Sequence, residues 1–195
     1  MKRENTAYQI TCAAVIAAIY VALTLMFLPI AYGPISFRIS ELLCILPYFT
    51  PAAVPGLFVG CFLANFFAGA AAIDVIFGSL ATLVGAWGSY RLRRHKWLVC
   101  LPPIAANTMV IPWVLRFAYG NEELMPVLTF TIFLSEAIAV GVLGNALLLA
   151  LDKYKNLISR RAKTRENREQ NKKPGSGRGA KNSPGGGIRA FFVSW

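Results

Sequence analysis

Apolar runs of membrane-crossing length dominate this chain from Tyr8 to Leu151. The hydrocarbon core of a bilayer is roughly 30 Å thick, and a helix needs about 20 apolar residues to cross it. Tyr8–Leu28 is the first such run. It is too long for a signal peptide and has no clear small-x-small cleavage site. Ile39–Ala71 carries one charge, Glu41, but as a single helix it would stretch about 50 Å, too far for one span. Pro47, Pro51 and Pro55 supply the break, because a proline inside a helix removes a hydrogen bond and clashes with the preceding turn. Two short spans are expected there, near Ser36–Phe49 and Pro55–Ala71. Asp74–Tyr90, Trp97–Tyr119 and Pro126–Leu151 complete the set. The predicted fold is an all-α integral membrane protein, a compact bundle of six transmembrane helices in the cell membrane.

Charge is distributed very unevenly. Up to Asp152 there are 8 Lys+Arg against 7 Asp+Glu; from Lys153 onward there are 12 against 2. The formal net charge of +11 therefore belongs to the tail. Residues 1–152 are expected to form the transmembrane domain and 153–195 a basic, disordered tail. A nucleic-acid-binding domain is excluded as the main reading, since its basic charge would lie on a folded surface. With 56% hydrophobic and 15% charged residues, the chain is also too apolar for an ordinary soluble domain. Lysine and arginine collect in cytoplasmic loops. Lys2 and Arg3, the group Arg91, Arg93, Arg94 and Lys96, and the tail all fall on one side of a six-span bundle. The opposite loops, at Tyr32-Gly33-Pro34, Gly69 to Ile73 and Asn121-Glu122-Glu123, hold no lysine. Both termini are thus predicted to be cytoplasmic.

Several familiar chemistries do not fit. Cys12, Cys44, Cys61 and Cys100 sit in apolar runs without CxxC spacing, which reads as reduced cysteines in helices rather than a disulfide framework or metal site. The single histidine, His95, lies in a basic loop, so no His-metal or His-assisted nucleophile is available within the spans. The stretch from Gly175 to Asn182 approaches a phosphate-binding loop, but Ala180 and Asn182 stand where Gly and Ser/Thr are required, and no strand precedes it. Neither cofactor nor metal is expected. A membrane enzyme using carboxylates alone is one alternative to a binding protein.

Ionisable groups inside spans are expensive and mark cavities or partners. Arg38 and Glu41 lie three apart at the entry to span two, either as a local ion pair or as a lid over a ligand. Asp74 opens span four, as an N-cap or as a ligand contact. Glu136 lies near the bilayer centre. Arg116, near a span end, can snorkel. Asn65 and Asn107 can reach an outward-facing pocket, whereas Asn145, nine residues beyond Glu136 at 100° per residue, falls on the opposite face. A carboxylate accepts and an amide both donates and accepts. Together they suit the guanidine-like edge and ring carbonyl of a guanine-type base. Phe37, Tyr48, Phe66, Phe67 and Trp113 are candidates to stack on such a ring. In span one, Ala13 and Ala17, and Ala14, Ala18 and Ala22, repeat every four residues. Such a strip admits close approach of another helix, inside the bundle or from a separate membrane protein.

The segment Tyr32-Gly-Pro-Ile-Ser-Phe-Arg-Ile-Ser-Glu41, then Leu46-Pro-Tyr-Phe-Thr-Pro-Ala-Ala-Val-Pro-Gly56, then Asn65 and Asp74-Val-Ile-Phe-Gly-Ser-Leu-Ala-Thr82, resembles the QueT family over about residues 5–152. These are S components of energy-coupling factor transporters, assigned to queuosine precursors. The resemblance implies six helices, capture of a vitamin-like compound from outside, and assembly with a transmembrane coupling protein and two ATPase subunits. It implies that an alanine strip, Ala13/Ala17 or Ala14/Ala18 here, meets the coupling protein. It also implies that the loop Gly33–Ser40 closes over the substrate, and that the whole S component topples to release it. The expected substrate contacts are Glu136 on the guanidine-like edge, Asn107 and Asn65 on the other ring polar groups, Asp74 nearby, and Arg38 with Glu41 at the lid.

Overall fold

The computed structural model describes residues 3–31, 37–120 and 122–153. The expected loop residues 32–36, Asn121 and the tail from residue 154 lie outside the described residues, as does Lys2. Among the described residues the regular structure is all helical, with no strand. It comprises α1 (Arg3–Met26), the single turn α2 (Leu28–Ala31), a 3₁₀ segment (Ile39–Tyr48), α3 (Ala53–Phe67), α4 (Ala72–Arg91), α5 (Leu101–Tyr119) and α6 (Met125–Glu136). A π-helical segment, Ala137–Gly144, continues α6. A short 3₁₀ turn at Lys96–Leu98 leads into α5. One compact unit runs to Leu148; the described part of the second, Leu149 to Lys153, is helical.

Four helical stretches are long and apolar enough to cross a bilayer: Thr6–Met26, Ala72–Arg91, Lys96–Tyr119 and Met125–Lys153. They correspond to expected spans one, four, five and six. Spans two and three differ from expectation in length. Ile39–Tyr48 has ten residues and Ala53–Phe67 fifteen. At a rise of about 2.0 Å in 3₁₀ geometry and 1.5 Å in α, each covers only about 20 Å. Their surroundings explain this. The 3₁₀ segment is the centre of the bundle, packed against α1, α3, α4 and the π segment. Ser40, Glu41, Leu43, Cys44, Ile45 and Pro47 are all buried along it.

The remaining helices surround that core. α1 packs on α3, and α3, α4, α5 and α6 follow one another as neighbours. Small residues set the spacing. A β-carbon added at Gly56 would lie 2.7 Å from the Ala13 carbonyl oxygen, and one at Gly60 would lie 3.0 Å from the Ala17 Cα. The α4–α5 seam is equally close, since a β-carbon at Gly85 would lie 2.7 Å from the Pro103 Cα. Hydroxyls within helices bond back to carbonyls one turn earlier, as Thr24 does to Tyr20 (2.9 Å), Thr82 to Gly78 (3.1 Å) and Thr129 to Met125 (2.8 Å). Such bonds satisfy these hydroxyls within their own helices.

The outside is apolar. Ile76, Phe77, Leu80, Val84 and Trp87 of α4, and Trp113 and Phe117 of α5, are exposed. Contiguous apolar patches of this kind are rare on soluble monomers and suit lipid.

Candidate functional site

The polar residues picked out in the sequence gather in two tiers inside the bundle. α4 is about 30 Å long, with Asp74 in its first turn and Arg91 in its last. The outer tier lies at the Asp74 end. Arg38, just before the 3₁₀ segment, donates from Nη2 to both Asp74 oxygens, at 3.0 and 3.3 Å. Tyr119, the last residue of α5, donates to Asp74 Oδ2 at 3.0 Å and accepts the Ala71 N–H at 3.2 Å. Asn65, near the end of α3, donates to the Asp74 backbone carbonyl at 3.3 Å. Asp74 therefore does not cap its own helix: it ties three other elements to α4. Gly78, one turn on, makes room for this. A β-carbon there would lie 2.8 Å from Asp74 Oδ1 and 3.2 Å from Asn65 Nδ2.

The inner tier contains two glutamates. Glu41 is 1% exposed. Its Oε1 accepts the Tyr20 hydroxyl at 2.5 Å and its Oε2 the Cys44 thiol at 3.0 Å. Beside it, the Thr24 and Ser40 hydroxyls are hydrogen-bonded to each other at 2.8 Å, fixing the start of the 3₁₀ segment to α1. Glu136 ends α6, about 16 Å along from Met125. Its Oε1 accepts from Asn107 Nδ2 at 3.0 Å. The other oxygen, Glu136 Oε2, is buried and has no hydrogen-bond partner; with Thr108 Oγ1 it is one of two such side-chain atoms among the described residues. Arg38 and Glu41 both lie within electrostatic reach of Glu136, so the two tiers form one polar system.

What this arrangement can do follows from its donors and acceptors. Asp74 is satisfied by a guanidinium and a phenol. Glu136 offers a buried acceptor with nothing donating to it, and burying such an atom carries a free-energy penalty that a donor would relieve. Among the described residues, no group of three His, Cys, Asp or Glu side chains is placed to hold a metal ion.

All six sequence-derived candidates, Arg38, Glu41, Asn65, Asp74, Asn107 and Glu136, thus belong to this system. The pairing within it differs from the sequence expectation, because the ion pair that forms joins Arg38 to Asp74 while Glu41 turns to Tyr20 and Cys44. The stacking candidates fare differently. Phe66, Phe67 and Trp113 are more than half exposed, and Trp113 stacks on Phe117 outside the bundle. Tyr48 sits at the far end, with Lys96 Nζ 6.0 Å from its ring centroid. Asn145 bonds the Gly141 carbonyl at 2.7 Å. Arg116 bonds the Glu123 carbonyl at the exposed end of α5. Tyr20, Cys44, Tyr119 and Gly78 were not foreseen. Tyr20 and Thr24 had a usable signal, since they continue the helical face that carries Ala13 and Ala17.

A groove of about 660 Å³ opens between α5 and α6, lined by Thr108, Trp113, Met125, Pro126, Thr129, Phe130 and Phe133. None of the six candidates lines it.

The family model of the QueT transporter matches residues 10–153, nearly the whole helical part of the chain. The chain belongs to the QueT transporter family. It is also similar to the queuosine precursor transporter QueT of Lactococcus lactis subsp. cremoris (strain MG1363), with 41% identity over 86 residues. That match covers 43% of this chain and half the length of the relative. No solved structure matches the chain.

Membership in the QueT family gives the alanine strip of α1 a new significance, because the strip has two faces. Ala13 and Ala17 are committed to the α1–α3 seam against Gly56 and Gly60. The glycines opposite them provide the close approach that small residues permit, which is the first of the two arrangements the alanine spacing allows. The other face, with Ala14, Ala18 and Ala22, is exposed. In this QueT-family chain, then, only that second face is open to another protein.

Proposed function

We propose that this chain is the substrate-specificity component of an energy-coupling factor importer and binds a queuosine precursor, a 7-deazaguanine base, from outside the cell. The observation that carries this reading is the buried, unpartnered Oε2 of Glu136 beside Asn107. The guanidine-like edge of such a base presents two parallel N–H donors. One satisfies Oε2, and the other shares Oε1 with Asn107. The Asn107 and Asn65 amides complement the ring carbonyl and ring nitrogens, since an amide both donates and accepts. The name of the Lactococcus relative supports the same substrate class.

The membrane arrangement follows the same logic. The 3₁₀ segment and α3 count as two short spans beside the four long ones, giving six, with both termini cytoplasmic. Arg91, Arg93, Arg94 and Lys96 mark the cytoplasmic end. The Arg38–Asp74–Tyr119 tier then lies at the outer end, where it closes the entrance with Arg38 and Glu41 at the lid. Residues 153–195 form a cytoplasmic extension. With no nucleotide-binding motif in the sequence, uptake is driven by partners: a transmembrane coupling protein docking on Ala14 and Ala18, and two ATPase subunits.

The deciding experiment is equilibrium binding of deazapurines and water-soluble vitamins to the purified chain in detergent. Saturable binding of a 7-deazaguanine, competed by its analogues and not by the vitamins, is expected. Binding of a different vitamin alone overturns the substrate assignment.

A further inference from the structure

We propose that the face of α4 ending at Arg91 binds an anionic phospholipid, with its phosphate on Arg91 and Arg93 and an acyl chain along the helix below. The proposal rests on the membrane reading and not on the identity of the substrate. Phe77, Leu80, Val84, Trp87 and Arg91 follow one another at spacings of three, four, three and four residues. That spacing puts all five on one side of α4. The four apolar residues are exposed, and so is Arg91. The stripe changes character along its length. From Phe77 to Trp87 it is apolar over ten residues, about 15 Å. That is half of a hydrocarbon core roughly 30 Å thick, the depth of one leaflet. Trp87 stands at the stripe's end, where tryptophan marks the boundary of hydrocarbon and headgroups. Arg91 lies one turn further out.

The end of the stripe is shaped for a phosphate. The Arg91 guanidinium lies 5.0 Å from the Trp87 ring centroid, and that of Arg93 lies 4.6 Å from the Tyr90 ring centroid. Trp87 and Tyr90 are neighbours three residues apart on the helix surface, so the two clamps lie side by side. A guanidinium laid on an aromatic face keeps its in-plane N–H fork, which matches the oxygens of a phosphate. Among the described residues no ion pair occupies Arg91, Arg93 or Arg94. From Val75 to Asn121 the sequence has no Asp or Glu, while Arg94 and Lys96 add two further cations. A zwitterionic headgroup would bring its own ammonium against that charge. An anionic headgroup brings none, and basic clusters beside a span attract it. An acidic protein segment would meet the charge but not the apolar stripe beneath it. A phospholipid carries both parts in one molecule.

The test uses the chain's own tryptophans. With Trp113→Phe and Trp195→Phe the two that remain, Trp87 and Trp97, both lie at this end of α4. The full chain is placed in vesicles of phosphatidylglycerol and phosphatidylcholine in equal amounts, with bromine on the chains of one lipid or the other. Bromine quenches a tryptophan that it touches, so the two quenching levels give the relative affinity. Phosphatidylglycerol should be preferred at least about fivefold. Arg91→Gln with Arg93→Gln should bring the preference below about twofold. Arg91→Lys with Arg93→Lys keeps the charge, loses the forks and should lower the preference by at least about half. Arg160→Gln with Arg161→Gln, the same charge removed from the tail, should leave it unchanged. Equal quenching by the two lipids before any arginine is replaced would overturn the proposal, and that comparison decides even if a variant does not fold. Full retention in the lysine pair, or an equal loss from the tail pair, would overturn the site and leave only surface charge. Both leaflets carry the same lipids, so none of these ratios depends on which end of the chain faces the cytoplasm or on what the chain transports.

Discussion

Arg38 reaches across 36 residues of chain to hold Asp74, its Nη2 lying 3.0 Å from one carboxylate oxygen and 3.3 Å from the other. The pair fastens the start of the 3₁₀ segment to the first turn of α4. Both side chains are largely buried, 11% and 3% exposed. Removing one partner from such a pair leaves a buried charge alone, which typically costs about 3 kcal/mol or more, whereas removing both is far milder. Arg38→Gln should therefore lower the thermal unfolding temperature in detergent, and Arg38→Gln combined with Asp74→Asn should restore part of it. A double variant as unstable as the sum of the two singles would show that the pair is not coupled.

Glu136→Gln keeps the size of the side chain and an oxygen for Asn107, but places an N–H where a ring donor needs an acceptor. Affinity for a 7-deazaguanine should fall at least about tenfold, equivalent to about 1.4 kcal/mol, with thermal stability little changed. Unaltered affinity would move the ligand contact away from Glu136, to Glu41 or Asp74.

Gly78→Ala puts a methyl group 2.8 Å from Asp74 Oδ1 and 3.2 Å from Asn65 Nδ2. Both partners are short and anchored, so Asp74 must give way. Overpacking of this kind costs typically 1–3 kcal/mol. The variant should lose stability and ligand affinity together, as read by thermal unfolding and binding isotherms. Gly69→Ala, in the turn between α3 and α4, has φ +71° and open space around it; its affinity should be unchanged although its backbone is strained.

The two faces of α1 should separate cleanly. Gly60→Ala drives a methyl group to 2.9 Å from the Tyr20 Cβ and should destabilise the isolated chain by about 1–3 kcal/mol. Ala18→Trp, on the exposed face, should leave folding and ligand binding intact and abolish uptake in cells carrying the coupling module. Uptake at the wild-type level would remove Ala18 from the docking surface.

Topology can be read by thiol labelling in intact cells, in a Cys12→Ser background because the other three cysteines are buried. An impermeant reagent added outside should label Gly120→Cys and not His95→Cys. Labelling of both, or the reverse pattern, would contradict the proposed orientation.

The helical stretches were legible in the sequence because their apolar runs are long and their breaks are prolines and glycines. So was the identity of the buried carboxylates, Glu41, Asp74 and Glu136, since a charge in an apolar run has few reasons to be there. Their partners were not legible. Arg38 and Asp74, or Asn107 and Glu136, are joined by tertiary packing that no spacing encodes, and Arg38 was set against Glu41 only because the two are close in sequence. The mixed winding was hidden as well. A wheel drawn at 100° per residue assumes α geometry, which fails over Ile39–Tyr48 and again over Ala137–Gly144. The alanine spacing by itself left two arrangements open, and Gly56-Leu-Phe-Val-Gly60 in α3 carries the matching small-residue spacing that Ala13 and Ala17 meet inside the bundle.

The 3₁₀ segment works as a gauge. Arg38 at its beginning is fixed to Asp74, and Tyr48 at its end lies under Lys96, beyond the other end of α4. Between those stops each residue advances the chain by about 2.0 Å and turns it by about a third of a revolution. One residue inserted or deleted between them would rotate Glu41 away from Tyr20 or withdraw Arg38 from Asp74. The number of residues along this stretch is therefore as constrained as the side chains it buries. In the connection between α4 and α5, by contrast, where Arg91 to Lys96 are largely exposed, the count is free to vary.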